Sequence, residues 1–426
     1  MGQENFKRFE LHYGVVLMLR TRRFLTAMDW MGRSRIAKPM SWLLLYLMPV
    51  SAGVAFFIFI SVFRGLISSR GPQIAQGIVS LGPLVNLGIP GLNPYIPILY
   101  GWIALVIGMI VHEGAHGVIA RSLGIPVKNS GLILLFFVIP IGAFVDIEES
   151  AIKQAPKRHS ARVLAAGAGT NLVLAVLCLL LLVGVVSTMS PVVNGAAITA
   201  VGQGTPAYAQ GVHPGDIVTA VDGKPITNLD AILGPSTNLT AGQTINFTVY
   251  RHGQTIEIDN IKLVCCMKII DTRTNQTLAS YPYIGVDSVS EANLRSAVSS
   301  YTNVLGDPLL YIGCIPTLEI GNCQQAVPFS NSDSVFYVSP LGSALVPIAN
   351  VLYWLFFLNF NLAIFNSLPI FPLDGGQAFG VGVEALGRGR LSEAGTMRIT
   401  MGATMAMLIF LLAIIAGPYF YVYLFG

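Results

Sequence analysis

The stretch Ile96–Ala120 reads IPILYGWIALVIGMIVHEGAHGVIA and contains no Asp, Glu, His, Lys or Arg beyond His112, Glu113 and His116. An apolar run of about this length can cross a hydrocarbon core as a helix. Residues four apart share a helix face, so both imidazoles can reach one metal ion with Glu113 beside them. Ionisable groups are costly in lipid, and a cluster of them at membrane depth marks a functional site. The pattern points to zinc-dependent hydrolysis within a bilayer. The competing reading is structural, with both histidines hydrogen-bonded to neighbouring helices.

The rest of the chain agrees on the compartment. Hydrophobic residues make up 53% of the 426 positions and charged residues 11%, against roughly a quarter charged in soluble domains. Four further stretches read as membrane spans, giving approximately 41–63, 98–122, 163–187, 343–368 and 399–424 in all. Gly131 to Val145 is apolar but too short to cross as a helix, and it carries Pro140 and Gly142. It is read as a membrane-embedded strand or hairpin, which survives at that depth only if protein covers it or water reaches it. The fold class is therefore a polytopic α-helical membrane protein of about five or six transmembrane helices, with an inserted soluble domain.

Lys and Arg in the connecting segments set the expected orientation. Residues 1–40 carry eight, 121–162 six and 376–398 three, whereas 64–97 carries two and 189–342 six. The N-terminus and the catalytic side are expected to be cytoplasmic, with 189–342 outside. The basic N-terminal run is either this topology signal alone or also a short interfacial helix. The lipid bilayer is an expected partner and nucleic acid is not.

The region after the third span has its own grammar. Short β-like runs (Ala197 to Val201, Ile217 to Val221, Ile245 to Tyr250, Thr255 to Ile261) alternate with the turn clusters Pro214-Gly215-Asp216 and Asp222-Gly223-Lys224-Pro225. Gly204 to Val218, continuing through Val221 to Ile226, resembles the PDZ domains attached to bacterial and archaeal proteases. That resemblance implies a groove in which an extended peptide adds as a strand. The expected organisation is 1–90 basic segment and first span, 91–190 first half of the membrane core, 191–285 PDZ-like domain, 286–342 polar extension without an assigned fold, and 343–426 second half of the core.

Two histidines leave a zinc site incomplete, because catalytic zinc takes three protein ligands and an open position. The fourth span ends in Asn366-Ser367-Leu368-Pro369-Ile370-Phe371-Pro372-Leu373-Asp374-Gly375-Gly376, where Asp374 is the only acidic residue between Ser343 and Val383. The prolines end the helix and the glycines allow a tight turn. A carboxylate on unwound backbone at membrane depth is what a third ligand requires.

These motifs, in this order, resemble the site-2 protease family of intramembrane zinc metalloproteases. Pro140 to Val145 and Gly167 to Asn171 are weaker matches to the same family. The resemblance implies one Zn2+ per chain held by His112, His116 and Asp374, with Glu113 as general base. It implies membrane-anchored proteins as substrates, cleaved in regulated intramembrane proteolysis. Gly142, Ala143 and Phe144 would then lie on a strand that captures the unwound substrate or merely seals the site. Asn171 and Asn366 would hold substrate backbone or the developing oxyanion, or else join helices. A noncatalytic receptor that binds peptides through its PDZ-like domain is the alternative from another class. Cys314 and Cys323 are a candidate disulfide pair, and Asn238, Asn246 and Asn275 begin glycosylation sequons.

Overall fold

A computed structural model describes residues 9–12, 15–137, 139–234, 239–270, 277–308, 310–317, 327–330, 332–387 and 390–425. The chain opens with strands β1 (Phe9–His12) and β2 (Val16–Thr21). Helices α1 (Arg23–Gly32), α2 (Ala37–Leu66), α3 (Gly71–Ser80) and α4 (Ile98–Ser122) follow. Next come β3 (Val127–Leu135), β4 (Ile139–Ile147), α5 (Glu149–Gln154) and α6 (Lys157–Val186).

The middle region runs β5 (Ser190–Pro191), β6 (Ala196–Val201), α7 (Pro206–Ala209), β7 (Ile217–Val221), β8 (Lys224–Pro225) and α8 (Asp230–Leu233). It continues through β9 (Thr244–Arg251), β10 (Gln254–Lys262), β11 (Val264–Ile270), β12 (Thr277–Tyr283) and β13 (Val286–Val289). Helices α9 (Glu291–Thr302) and α10 (Leu310–Gly313) and strand β14 (Tyr337–Val338) complete it. The chain ends with α11 (Leu345–Ser367), α12 (Asp374–Leu386) and α13 (Glu393–Phe425).

Five helices among the described residues are long and apolar enough to cross a membrane: α2, α4, α6, α11 and α13. They coincide with the five stretches expected from sequence. The chain divides into two compact units, Met1–Leu179 with Val351–Gly426, and Leu180–Asn350.

In the first unit an antiparallel sheet runs in the order β1-β2-β3-β4. The segment expected as a strand or hairpin is thus two strands of four. The N-terminal residues supply the other two, with Val16 opposite Leu135 and Thr21 opposite Ser130. A side chain at position 131 would strike the Leu19 carbonyl and the Phe144 ring, so Gly131 lets the three strands close up. Helix α1 docks on the end of α4 in the same way. A Cβ at Gly117 would lie 2.6 Å from Met28 Sδ, one at Gly32 would lie 3.0 Å from the Val118 carbonyl, and Asp29 pairs with Arg121 at 3.4 Å. Leu44, Ile119, Ala120, Val127, Val163 and Ala166 form a buried cluster that fixes α2, α4, β3 and α6 together.

In the second unit a sheet runs β10-β9-β7-β6-β13, with β8 on β7. Its core is apolar, centred on Ile198, Val218, Phe247, Val249 and Ile261. Asp216 is buried, accepts from Arg251 Nε at 2.6 Å and Nη2 at 2.7 Å, and also accepts the His213 N–H at 2.8 Å. Its hydrogen bond holds the Arg251 guanidinium above its ordinary pKa. The sheet extends past residue 285, because β13 pairs with β6. Cys265 and Cys314 are each disulfide-bonded, whereas Cys323 lies outside the described residues. Asn246 is exposed on β9, and its Oδ1 accepts the Asn260 N–H at 2.9 Å. Asn238 and Asn275 lie outside the described residues.

Candidate metal centre

His112 and His116 lie one turn apart on α4, and both side chains are buried. The helix continues through them because its own carbonyls satisfy the backbone there, leaving only the side chains to be paired. Asp374 arrives from the other end of the sequence, as the first residue of α12. Its approach depends on the two glycines after it. A Cβ at Gly375 would strike the Ser367 and Leu368 backbone, and one at Gly376 the Ile370 and Phe371 backbone. The loop ahead of Asp374 is anchored to α13, where the buried Thr404 Oγ1 accepts the Phe371 N–H at 3.0 Å.

The three side chains converge on one point. His112 Nε2 and His116 Nε2 each lie 3.1 Å from Asp374 Oδ2, and 3.3 Å from each other. Zinc–nitrogen and zinc–oxygen bonds of about 2.0–2.1 Å in tetrahedral geometry separate the ligand atoms by about 3.3 Å. The triangle therefore fits one face of a zinc tetrahedron and leaves the fourth corner for water. This trio is the group of metal-ligating side chains that the described residues bring together.

Helix α6 forms the wall behind the histidines. The Val163 carbonyl accepts from His116 Nδ1 at 2.7 Å, which leaves Nε2 free for a metal. Asn171 places its amide nitrogen 3.2 Å from His112 Nδ1. Between these two levels, a Cβ at Gly167 would lie 2.5 Å from His112 Nε2 and closer still to His116 Nε2. Val163, Gly167 and Asn171 are spaced by four and share one helix face. The sequence marks Gly167 only as part of a weak motif, and Asn171 as a substrate-holding amide rather than as a neighbour of His112. It offers no means of finding Val163, whose contribution is a backbone carbonyl.

Glu113 points to another neighbour. Its Oε2 accepts the Val145 N–H at 3.1 Å. Strand β4, which carries Gly142, Ala143 and Phe144, is the edge of its sheet. A Cβ at Gly142 would meet only the Ile133 side chain at ordinary distance, so the fold itself does not demand glycine there. A cavity of about 840 Å³ beside this strand is lined by Glu113, Phe144 and Val145 together with Arg20, Phe24 and Ala27 of the N-terminal elements. Asn366, at the end of α11, is half-buried and makes no hydrogen bond to the three clustered side chains among the described residues.

A family profile matches residues 100–412, which takes in both histidines, Glu113 and Asp374. The chain belongs to peptidase family M50, the site-2 protease family. It is a metalloprotease, and its cofactor is zinc. An uncharacterized protein of Methanocaldococcus jannaschii is 27% identical over 85% of this chain and 76% of its own length. A protein of Agrobacterium fabrum, provisionally named a zinc metalloprotease, is 27% identical over 58% of this chain and 66% of its own. The zinc metalloprotease Rip1 of Mycobacterium tuberculosis is 24% identical over 65% of this chain and 82% of its own.

Proposed function

We propose that this M50 peptidase cleaves transmembrane segments of membrane-anchored proteins, as a step in regulated intramembrane proteolysis. The observation that carries the reading is the His112–His116–Asp374 triangle, whose two histidines sit on a helix apolar enough to span a bilayer. In this reading those three residues bind zinc and Glu113 is the general base. Bound zinc supplies Lewis acidity to the attacking water and the scissile carbonyl. Glu113 takes a proton from that water and delivers it to the leaving amine nitrogen.

A transmembrane helix hides its peptide bonds, so the substrate must unwind before attack. The outer edge of β4 has no strand partner among the described residues and can take an extended segment beside the Val145 N–H that Glu113 accepts, and the cavity beside Glu113 gives its side chains room. Gly142, Ala143 and Phe144 would meet that segment, and Asn366 would hold its backbone or the developing oxyanion. Residues 191–285, within the second unit, are read as a PDZ-like domain on the external side, which binds or excludes the ectodomain remnant of a substrate. Its β-sheet and two one-turn helices are compatible with that reading. The N-terminus and catalytic side are read as cytoplasmic. An intact Glu113 distinguishes this reading from a noncatalytic receptor.

The test is co-expression of the full chain with tagged membrane-anchored candidates, comparing wild type with Glu113→Gln. A cut that maps within the substrate's spanning segment and disappears in the variant supports the proposal. Cuts confined to soluble loops would refute it.

A further inference from the structure

The residue in question is Asn171, which sequence reasoning placed among the groups that hold substrate. Its side chain is fully buried in α6, behind the His112 ring as seen from Asp374. Its Oδ1 is a buried oxygen with no hydrogen-bond partner. A buried acceptor left unpaired is costly, so such a group calls for a donor.

We infer that Asn171 is a positioning residue for the metal centre, one that orients His112 by accepting a hydrogen bond from its Nδ1–H. The inference rests on the proposed ligand set. A histidine that gives its Nε2 lone pair to zinc carries its proton on Nδ1, and that N–H needs an acceptor. A half-turn about the Asn171 Cβ–Cγ bond exchanges Nδ2 and Oδ1 with little change in shape. It sets the unpaired oxygen where the amide nitrogen now lies, 3.2 Å from Nδ1. His116 is already held this way, by the Val163 carbonyl at 2.7 Å. One face of α6 then supplies an acceptor for each ring, with Gly167 between them leaving space for both. Among the described residues, no other group bonds His112 Nδ1.

The experiment measures zinc affinity by chelator competition on the purified full chain, for wild type, Asn171→Leu and Asn171→Asp. Leucine keeps the approximate volume without an acceptor, and aspartate keeps an acceptor in place. Loss of an outer bond of this kind costs roughly 10–100-fold in metal affinity. Asn171→Leu should show that loss, Asn171→Asp should bind at least as tightly as wild type, and cobalt-loaded Asn171→Leu should have an altered visible spectrum. Unchanged zinc affinity in Asn171→Leu, with a raised KM, would return Asn171 to the substrate side. Equal loss of zinc in both variants, accompanied by equal loss of thermal stability in the metal-free protein, would reduce it to packing. His112→Ala is the separate control: undiminished zinc there would remove the ligand set itself, whatever Asn171 does.

Discussion

The Glu113 carboxylate accepts the backbone N–H of Val145 at 3.1 Å, across the space between α4 and the outer edge of β4. Backbone polar groups along a strand alternate in direction, so Ala143 presents its N–H and C=O to the same edge as Val145. The proposed base and the proposed substrate strand are therefore held by one element. The carboxylate is oriented by the strand beside which the scissile bond would lie.

The first prediction separates chemistry from metal binding. Glu113→Gln keeps the shape of the side chain and can still accept from Val145, but it cannot take a proton. Cleavage should fall by roughly 10²–10⁴-fold while zinc content by atomic absorption stays at one per chain. A parallel loss of zinc would mean that Glu113 serves the metal rather than the reaction.

Gly167→Ala is expected to disable the site from behind. The new methyl would lie 2.5 Å from His112 Nε2, so one or both rings must turn away. Zinc affinity should drop by roughly 100-fold or more. Gly184→Ala on the same helix, where nothing lies within 4 Å, is the control and should bind zinc normally.

The loop that delivers Asp374 depends on α13. Thr404→Val removes the acceptor for the Phe371 N–H while keeping the branched shape. It leaves that N–H without its partner at a cost of about 1–3 kcal/mol. Thermal unfolding should shift downward, and zinc should dissociate faster. Unaltered zinc dissociation would show that the loop holds its position without this bond.

Filling the cavity tests where substrate lies. Ala27→Trp places an indole in the cavity that Glu113 also lines, at a position that is not a proposed ligand. Cleavage should decline on the order of tenfold or more, by analogy with the discrimination of small size differences in apolar pockets. Zinc content should be unchanged. Wild-type cleavage rates would exclude this cavity from the substrate path.

The second unit has its own weak point. Asp216→Ala removes the carboxylate from Arg251, leaving it the Gly211 carbonyl, and leaves the His213 N–H without its acceptor. A destabilisation of about 2–3 kcal/mol follows from losing charge-assisted hydrogen bonds. Hydrogen exchange in β7 and β9 should accelerate, with zinc content unaffected, since none of the three proposed ligands comes from this unit.

Local pattern was enough for much of this protein. Sustained apolar runs specified α2, α4, α6, α11 and α13, because a span must satisfy its own backbone and be apolar outward. The i,i+4 spacing of His112 and His116 placed two imidazoles on one face before any fold was known. Asp374 stood out as a lone carboxylate beside helix-breaking residues, and the structure brings it 3.1 Å from both imidazoles.

Tertiary structure decided what depends on residues far apart in the chain. Strand β2 pairs with β3 across more than a hundred intervening residues, and a short N-terminal strand carries no local mark of its distant partner. The resemblance covered neither β1 and β2 nor α1, yet β2 and α1 line the cavity at Glu113. Likewise β13 joins the sheet of the second unit, although the sequence boundary was drawn just before it. The Val163 carbonyl, the Val145 N–H and the gap at Gly167 are backbone features, which any sequence supplies everywhere and only packing can aim. Residue identity named the groups that do chemistry; three-dimensional approach fixed which neighbours hold them.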